Sequence, residues 1–157
     1  MSVSIRAFRT GDGAAFRTLN EAWIAAIFEI EEKDRAILGD PQRAILDRGG
    51  HIDLAIDDGT GQIVGCCALL PAGPGVFEVG KMTVLEGRRG EGIGRQLLRA
   101  AIEHASALGA TRLYLETNHT LTGAIALYLS EGFRHLSPEA VTPSPYARAD
   151  VFMERYL

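Results

Sequence analysis

The sequence predicts a mixed α/β fold of the α+β kind, with a central twisted mixed sheet of about seven strands flanked by about four helices. Three observations predict it. Seven short segments carry the alternating or continuous apolar pattern of strands. The strongest amphipathic helical stripe comes only after the fourth of them. A glycine-rich, arginine-rich turn separates an antiparallel meander in the first half from a β-loop-α-β-α-β-β order in the second.

Taken in order, Val3, Ile5 and Ala7 alternate with polar residues as an opening strand. From about Asp12 to Ile30 the chain reads mostly as helix, with Leu19, Trp23, Ile24 and Ile27 as its stripe. Asp40-Pro41 has the form of an N-cap with a first-turn proline, and Gly49-Gly50 ends that short helix. Ile52, Leu54 and Ile56 alternate, Asp57–Gly61 turns the chain, and Ile63–Leu70 is a continuous apolar strand. Past Pro71–Gly75 a central strand runs from Val76 to Val84. Ile93, Leu97, Leu98, Ala101, Ile102, Ala105 and Leu108 share one helical face, with Gly109 as the residue that ends it. Thr111–Thr117 is a strand, Leu121 to Glu131 a helix stopped by Gly132, and Phe133–Leu136 and Ala149–Tyr156 are closing strands around the loop Pro138–Pro145.

At 157 residues, 46% apolar and 23% charged, the chain has the length and composition of one soluble domain, expected over residues 1–157. A net charge of −4 argues against a general nucleic-acid binder, although four arginines concentrate between Gly87 and Ala100. Glu29, Glu31, Glu32 and Asp34 form an acidic cluster, read as a solvated helix face or as attraction for a cationic substrate. Adjacent Cys66 and Cys67 lie in an apolar run without a CxxC pair and read as small core residues of a reducing compartment. With no signal-peptide pattern and no 18-residue apolar stretch, the expectation is cytoplasmic, with no membrane partner.

The run Arg88-Arg89-Gly90-Glu91-Gly92-Ile93-Gly94 is the most informative stretch. Alternate glycines clear side chains from the turn, so backbone N–H groups can approach a ligand. The helix behind it offers unpaired donors and a positive dipole end, worth about 0.3–1 kcal/mol to an anion and up to about 2 when partly buried. Arg88, Arg89 and Arg95 add guanidinium charge suited to phosphate oxygens. Together these read as a pyrophosphate cradle; the bland alternative is a tight turn before a surface helix. A P-loop is ruled out because neither lysine, Lys33 or Lys81, follows the required glycine. The dinucleotide GxGxxG spacing also fails, since its third glycine falls at Arg95 or Leu97, although Glu116 sits near an acid's position.

A third phosphate-binding design fits these residues. The segment Arg89-Gly90-Glu91-Gly92-Ile93-Gly94, after the strand Lys81-Met82-Thr83-Val84, resembles the Q/R-x-x-G-x-G/A acetyl-CoA motif of the GNAT superfamily of N-acetyltransferases. Ala124 to Phe133 resembles that family's A-I-x-L-Y-x-x-x-G-F block, in the right order and at a fitting separation. The resemblance covers roughly Ile52 to Leu136. The chain departs from it at Leu121, where many members carry a cofactor-contacting asparagine; Asn118 lies three residues earlier, as a polar substitute or as a turn residue.

The resemblance implies acetyl transfer from CoA thioester to a primary amine of a small molecule or protein, with acetyl-CoA as co-substrate and no metal. A catalytically weak CoA-binding sensor or interaction module is the alternative. An alkyl ammonium is only about one part in 10³ unprotonated at pH 7, so a base is useful. Glu78 matches the family's general-base position, with ordered water or a surface role as alternatives, and Tyr128 matches its general acid, with core packing as the alternative. Backbone groups of Met82, Thr83 and Val84 are implied to hold the thioester arm. Arg89 through Gly94, with Arg88 or Arg95, would meet the pyrophosphate.

His51, His104, His119 and His135 lack metal-ligand spacing, so no metal is expected. His119 lies near the implied site and reads as a loop residue. Trp23, Phe28, Tyr146 and Arg148 lie where acceptor contacts are implied. Arg148 points to a carboxylate on the acceptor, the acidic cluster to a polyamine or protein lysine. Expected partners are that amine acceptor and a possible homodimer, without nucleic acid.

Overall fold

The computed structural model describes residues 2–141 and 143–157; Thr142, inside the loop predicted over Pro138–Pro145, lies outside the described residues. A seven-stranded sheet runs in the order β1-β2-β3-β4-β5-β7-β6. Its strands are β1 (Val3–Ala7), β2 (His51–Asp57), β3 (Ile63–Pro71), β4 (Val76–Val84), β5 (Arg112–Thr117), β6 (Arg134–His135) and β7 (Val151–Tyr156). All neighbours pair antiparallel except β4 and β5, which pair in parallel. Five α-helices flank the sheet: α1 (Gly13–Ile27), α2 (Glu32–Gly39), α3 (Pro41–Ala44), α4 (Ile93–Ala107) and α5 (Thr122–Ser130). The mixed α/β class and the strand count agree with the sequence reading; the helix count is one higher.

The extra helix corrects the reading of Asp12 to Ile30 as a single element. Phe28 is extended (φ −137°, ψ −172°), which ends α1. The chain restarts at Glu31 with a reciprocal capping box in which the Asp34 carboxylate accepts the Glu31 N–H at 2.9 Å. The short helix after Asp40 forms as its sequence implies, with the Asp40 side chain accepting the Arg43 N–H at 3.1 Å.

The core lies in two layers, one on each face of the sheet. Alternate residues of β2 and β3 divide between them. Ala55, Cys67 and Leu69 join Leu97, Leu98, Ala101 and Ala105 of α4 on one face. Ile52, Leu54, Cys66 and Ala68 join Phe16 of α1 and Ile37 and Leu38 of α2 on the other. Because β3 is covered on both faces, its sequence is continuously apolar rather than alternating. Burying each α4 leucine is worth about 1.5–3 kcal/mol, which seats the helix with its N-terminus beside the end of β4.

Two irregularities open the sheet at its centre. In the β3–β4 ladder Cys66 pairs with Thr83 and Ala68 with Gly80, so Lys81 and Met82 together face Cys67. That β-bulge is carried by Lys81 in the left-handed region at φ +49°, an unfavourable conformation for a side-chain-bearing residue. On its other edge β4 pairs with β5 over Val76–Glu78 and Arg112–Tyr114. Beyond Glu78 the two strands part, and the gap between them is the mouth of a cleft.

Gly65 of β3 lies behind the bulge. A Cβ there would stand 3.0 Å from Leu97 Cδ1 and 3.1 Å from the Thr83 carbonyl oxygen. Gly65→Val is therefore expected to destabilise the protein by about 1–3 kcal/mol through overpacking, measured as a lower urea midpoint at unchanged m-value.

Candidate functional site

The cleft has a volume of about 1070 Å³ and reaches from the glycine turn to the α1–α2 junction. At one end the turn residues Gly90 and Gly92 have φ of +83° and +80°, a conformation that favours glycine, and open space surrounds both. Gly92 is the N-cap of α4 and offers no side-chain hydrogen bond. The first intrahelical bond runs from the Gln96 N–H to the Gly92 carbonyl at 3.1 Å, leaving the first-turn N–H groups without intrahelical partners. Gly94 sits within that turn, where a Cβ would make ordinary contact with Leu127 of α5. Bare, dipole-aligned donors facing a cleft fit the paired phosphates of CoA.

The arginines divide their work differently from the sequence expectation. Arg88 donates to Asp57 at 2.5 Å and to Glu91 at 2.9 Å, tying the glycine turn to the end of β2. Arg95 pairs with Glu131, which also receives Arg99 at 2.8 Å, so both guanidinium groups fasten α4 to the end of α5. Arg89 forms no salt bridge among the described residues; a 3.5 Å contact with the Val84 carbonyl is its polar partner. Arg89 is thus the guanidinium left available at the cradle. Glu91, held by Arg88, does not line the cleft.

The middle of the cleft is lined by Glu78, Met82, Thr83 and Val84 of β4 and by Tyr128 of α5. Glu78 occupies the last paired rung before β4 and β5 diverge, opposite Tyr114. Burial, reinforced by the nearby Glu116 carboxylate, raises its pKa above the ordinary glutamate value. Burial likewise raises the Tyr128 phenol, so it stays protonated through the neutral range. Among the described residues no fully buried side-chain oxygen or nitrogen lacks a partner, so the Tyr128 hydroxyl is not a sealed orphan. Asn118 also lines the cleft, but its amide is committed: it donates to the Arg148 carbonyl at 2.7 Å and accepts from the Thr120 N–H at 2.9 Å. It behaves as a turn residue that ties down the loop after it. His119 pairs with Asp150 at 2.5 Å on the surface and does not line the cleft.

The far end holds Tyr146 and Arg148, which the sequence reading put on the acceptor side, in an ion network that reading did not foresee. Asp34 is fully buried, which overturns its place in a solvated acidic face. Its carboxylate receives the Lys81 ammonium from the β4 bulge and both Arg148 nitrogens, at 2.8 and 2.7 Å. Burial alone would raise the Asp34 pKa, but the bonds from Arg148 and Lys81 overcome it and hold the carboxyl well below the usual range. Burial lowers the Lys81 pKa against the pull of Asp34. The Tyr146 ring packs against both cations, with Arg148 at 4.4 Å and Lys81 at 4.8 Å from its centroid. Glu116 stands across from Glu78, accepting from Ser144 at 2.6 Å and Tyr114 at 2.9 Å. A lysine in the middle of an apolar strand was the one sequence signal that could have revealed this network.

Comparison with known proteins now bears on this geometry. The profile of the acetyltransferase (GNAT) family matches residues 15–133. The chain belongs to that family. It is 35% identical over 95 residues to an uncharacterized N-acetyltransferase of Schizosaccharomyces pombe, covering 60% of this chain and 58% of that protein. The chain spans about half the length of the curated relatives it matches. Its fold is that of a GNAT-family acetyltransferase from Staphylococcus aureus, with a TM-score of 0.89 at 22% identity over 99% of both chains. A Bacillus subtilis acetyltransferase solved in complex with CoA aligns at a TM-score of 0.73 and 21% identity, over 99% of each chain. Within this GNAT chain no described helix is long and apolar enough to cross a membrane.

Removing the Asp34 carboxylate leaves two cations facing each other in a buried site. Asp34→Ala is expected to cost about 3–5 kcal/mol, read from urea denaturation at pH 7. Because the folded-state pKa is depressed, the stabilisation is present above the ordinary aspartate pKa and is lost as pH falls toward the depressed value. The gap between wild type and variant is therefore expected to narrow once the pH drops below that ordinary value.

Proposed function

We propose that this protein is an acetyl-CoA-dependent N-acetyltransferase that acetylates a primary amine, on a small molecule or a protein, by direct transfer. The observation that carries the reading is the open N-terminus of α4 at Gly92, set at one end of a cleft whose middle is lined by Glu78 and Tyr128. Acetyl-CoA supplies the acyl carbon and a thiol leaving group. The backbone of Arg89 through Gly94 binds the diphosphate, and Arg89 adds the available guanidinium charge. Among the described residues β4 has no strand partner on its β5 side beyond Glu78. That open edge supports a role for the Met82–Val84 backbone in holding the thioester carbonyl and the pantetheine arm.

Glu78 takes the proton that the attacking amine must shed, directly or through one water. Its raised pKa makes it a stronger base than an exposed glutamate. Tyr128 delivers a proton to the departing sulfur, and its burial keeps that proton in place until it is needed. No covalent bond to the chain is required.

Charge in the acceptor half of the cleft favours a cationic amine over an amino-acid carboxylate. Arg148, the residue that would hold a carboxylate, is already bound to Asp34 and to Glu31. Among the described residues neither Glu78 nor Glu116 is salt-bridged, which supports the two carboxylates as the groups that receive an ammonium. Two buried free thiols, Cys66 and Cys67, fit a reducing, cytoplasmic setting.

Thiol release from acetyl-CoA across a panel of diamines, amino acids and lysine peptides tests the reading, with turnover expected first on the cationic amines. Saturable CoA binding without turnover on any amine would instead leave a CoA-binding module. Gly92→Glu, which adds a strained side chain and a negative charge, is expected to abolish CoA binding by calorimetry. Tyr128→Phe is expected to lower kcat about 10²-fold or more. Glu78→Gln is expected to remove the acid limb of the kcat/KM profile, a limb that in wild type lies above the ordinary glutamate range.

A further inference from the structure

We infer that His51, Asp53 and His104 form a binding site for a divalent transition-metal ion of the zinc class, at the end of α4 opposite the phosphate cradle. His51 and Asp53 are two residues apart on β2, on the face that α4 covers, and His104 comes down from the last turn of α4. The Nε2 atom of His51 lies 2.9 Å from Asp53 Oδ1, and that of His104 lies 3.4 Å from Oδ2. One ligand atom from each of the three falls within 4.8 Å of the others. Around an ion with bonds of 2.0–2.2 Å, tetrahedral ligands stand about 3.3 Å apart. Each imidazole nitrogen stands near that spacing from one oxygen of the shared carboxylate, His51 from Oδ1 and His104 from Oδ2. The rings stack, with centroids 4.3 Å apart and planes 30° from each other, and each presents a nitrogen to the same carboxylate.

A second observation points to a cation. Asp53 is 1% exposed, and among the described residues no lysine or arginine salt-bridges it; the two imidazoles are its partners. It stands beside Cys67 in the β2–β3 ladder, with Ala55 next on the same face. A buried carboxylate in apolar surroundings needs compensating positive charge. A divalent ion held by two neutral imidazoles and one carboxylate provides it. The C-terminal end of α4, where His104 sits, adds its negative dipole end to the attraction. The donor set of two nitrogens and one oxygen selects zinc, cobalt or nickel over magnesium or calcium, which want oxygen ligands. His104 is half-exposed, which leaves the fourth position open to water.

His104 is eleven residues along α4 from Ile93, about 16 Å from the cradle at 1.5 Å per residue. The ion therefore acts as a clasp between β2 and the rear of α4 and not as part of the transfer chemistry. Sequence spacing concealed it, because the third ligand arrives from a helix 51 residues beyond Asp53.

Tag-free protein stripped with a chelator and titrated calorimetrically with zinc chloride tests the site, with cobalt(II) absorption as a second readout. One ion per chain with micromolar or tighter affinity is expected, together with a zinc-dependent rise in Tm. His104→Gln, on the helix surface, and His51→Gln are each expected to weaken binding by about tenfold or more without changing zinc-free CoA affinity. His119→Gln is expected to bind as wild type. Absence of zinc and cobalt binding, wild-type affinity in both site variants, or loss of binding in His119→Gln alone would each overturn the site.

Discussion

The functional architecture depends on the failure of two parallel strands to remain paired. Strands β4 and β5 share only the rungs from Val76 to Glu78 before they separate. A regular parallel ladder would cover the inner edge of β4 and leave no opening. The separation coincides with the bulge at Lys81 and Met82, where two residues of β4 face one of β3 and the local twist is increased. The α4 helix, seated by Leu97 and Leu98 against the same strands, then aims its unpaired N–H groups at the gap. One backbone irregularity so produces both the opening and a strand edge that is free to bind.

The strain at Lys81 is met by charge. A left-handed lysine in a strand is costly unless its surroundings determine it, and Asp34 does so from α2. The same carboxylate receives Arg148 from the segment before β7, so three parts of the chain meet at one buried anion. Asn118 fastens that segment from the other side by bonding the Arg148 carbonyl. The end of the cleft beside α2 is thus built on an internal ion cluster whose cations are already matched, and among the described residues Glu78 and Glu116 are left there without a salt bridge.

Much of this was legible in the residues, and the rest has identifiable reasons for being hidden. Period-two alternation located β1 and β2, and the Ile93–Leu108 stripe located α4, because each pattern reports burial against a single surface. The glycine turn was legible because positive φ and an uncapped helix start leave a compositional trace. Asp34 was hidden because it shares its local composition with Glu29 and Glu32. What buries it is a lysine 47 residues away and an arginine 114 residues away. The ion pairs of Arg88 and Arg95 were hidden for the same reason: their partners Asp57 and Glu131 are long-range neighbours. Charge pairing across a sheet has no period, so a single sequence does not display it.

The two adjacent cysteines carry a consequence for chemical resilience. Cys66 faces one apolar layer and Cys67 the other. Burial pushes the Cys66 thiol up to about 12 and raises that of Cys67 as well. A sulfur attacks electrophiles and disulfides through its thiolate, and neither residue lines the cleft. Both thiols are thereby spared mixed-disulfide capture by small thiols, and the fold is insulated from alkylating or oxidising agents that reach the surrounding solvent.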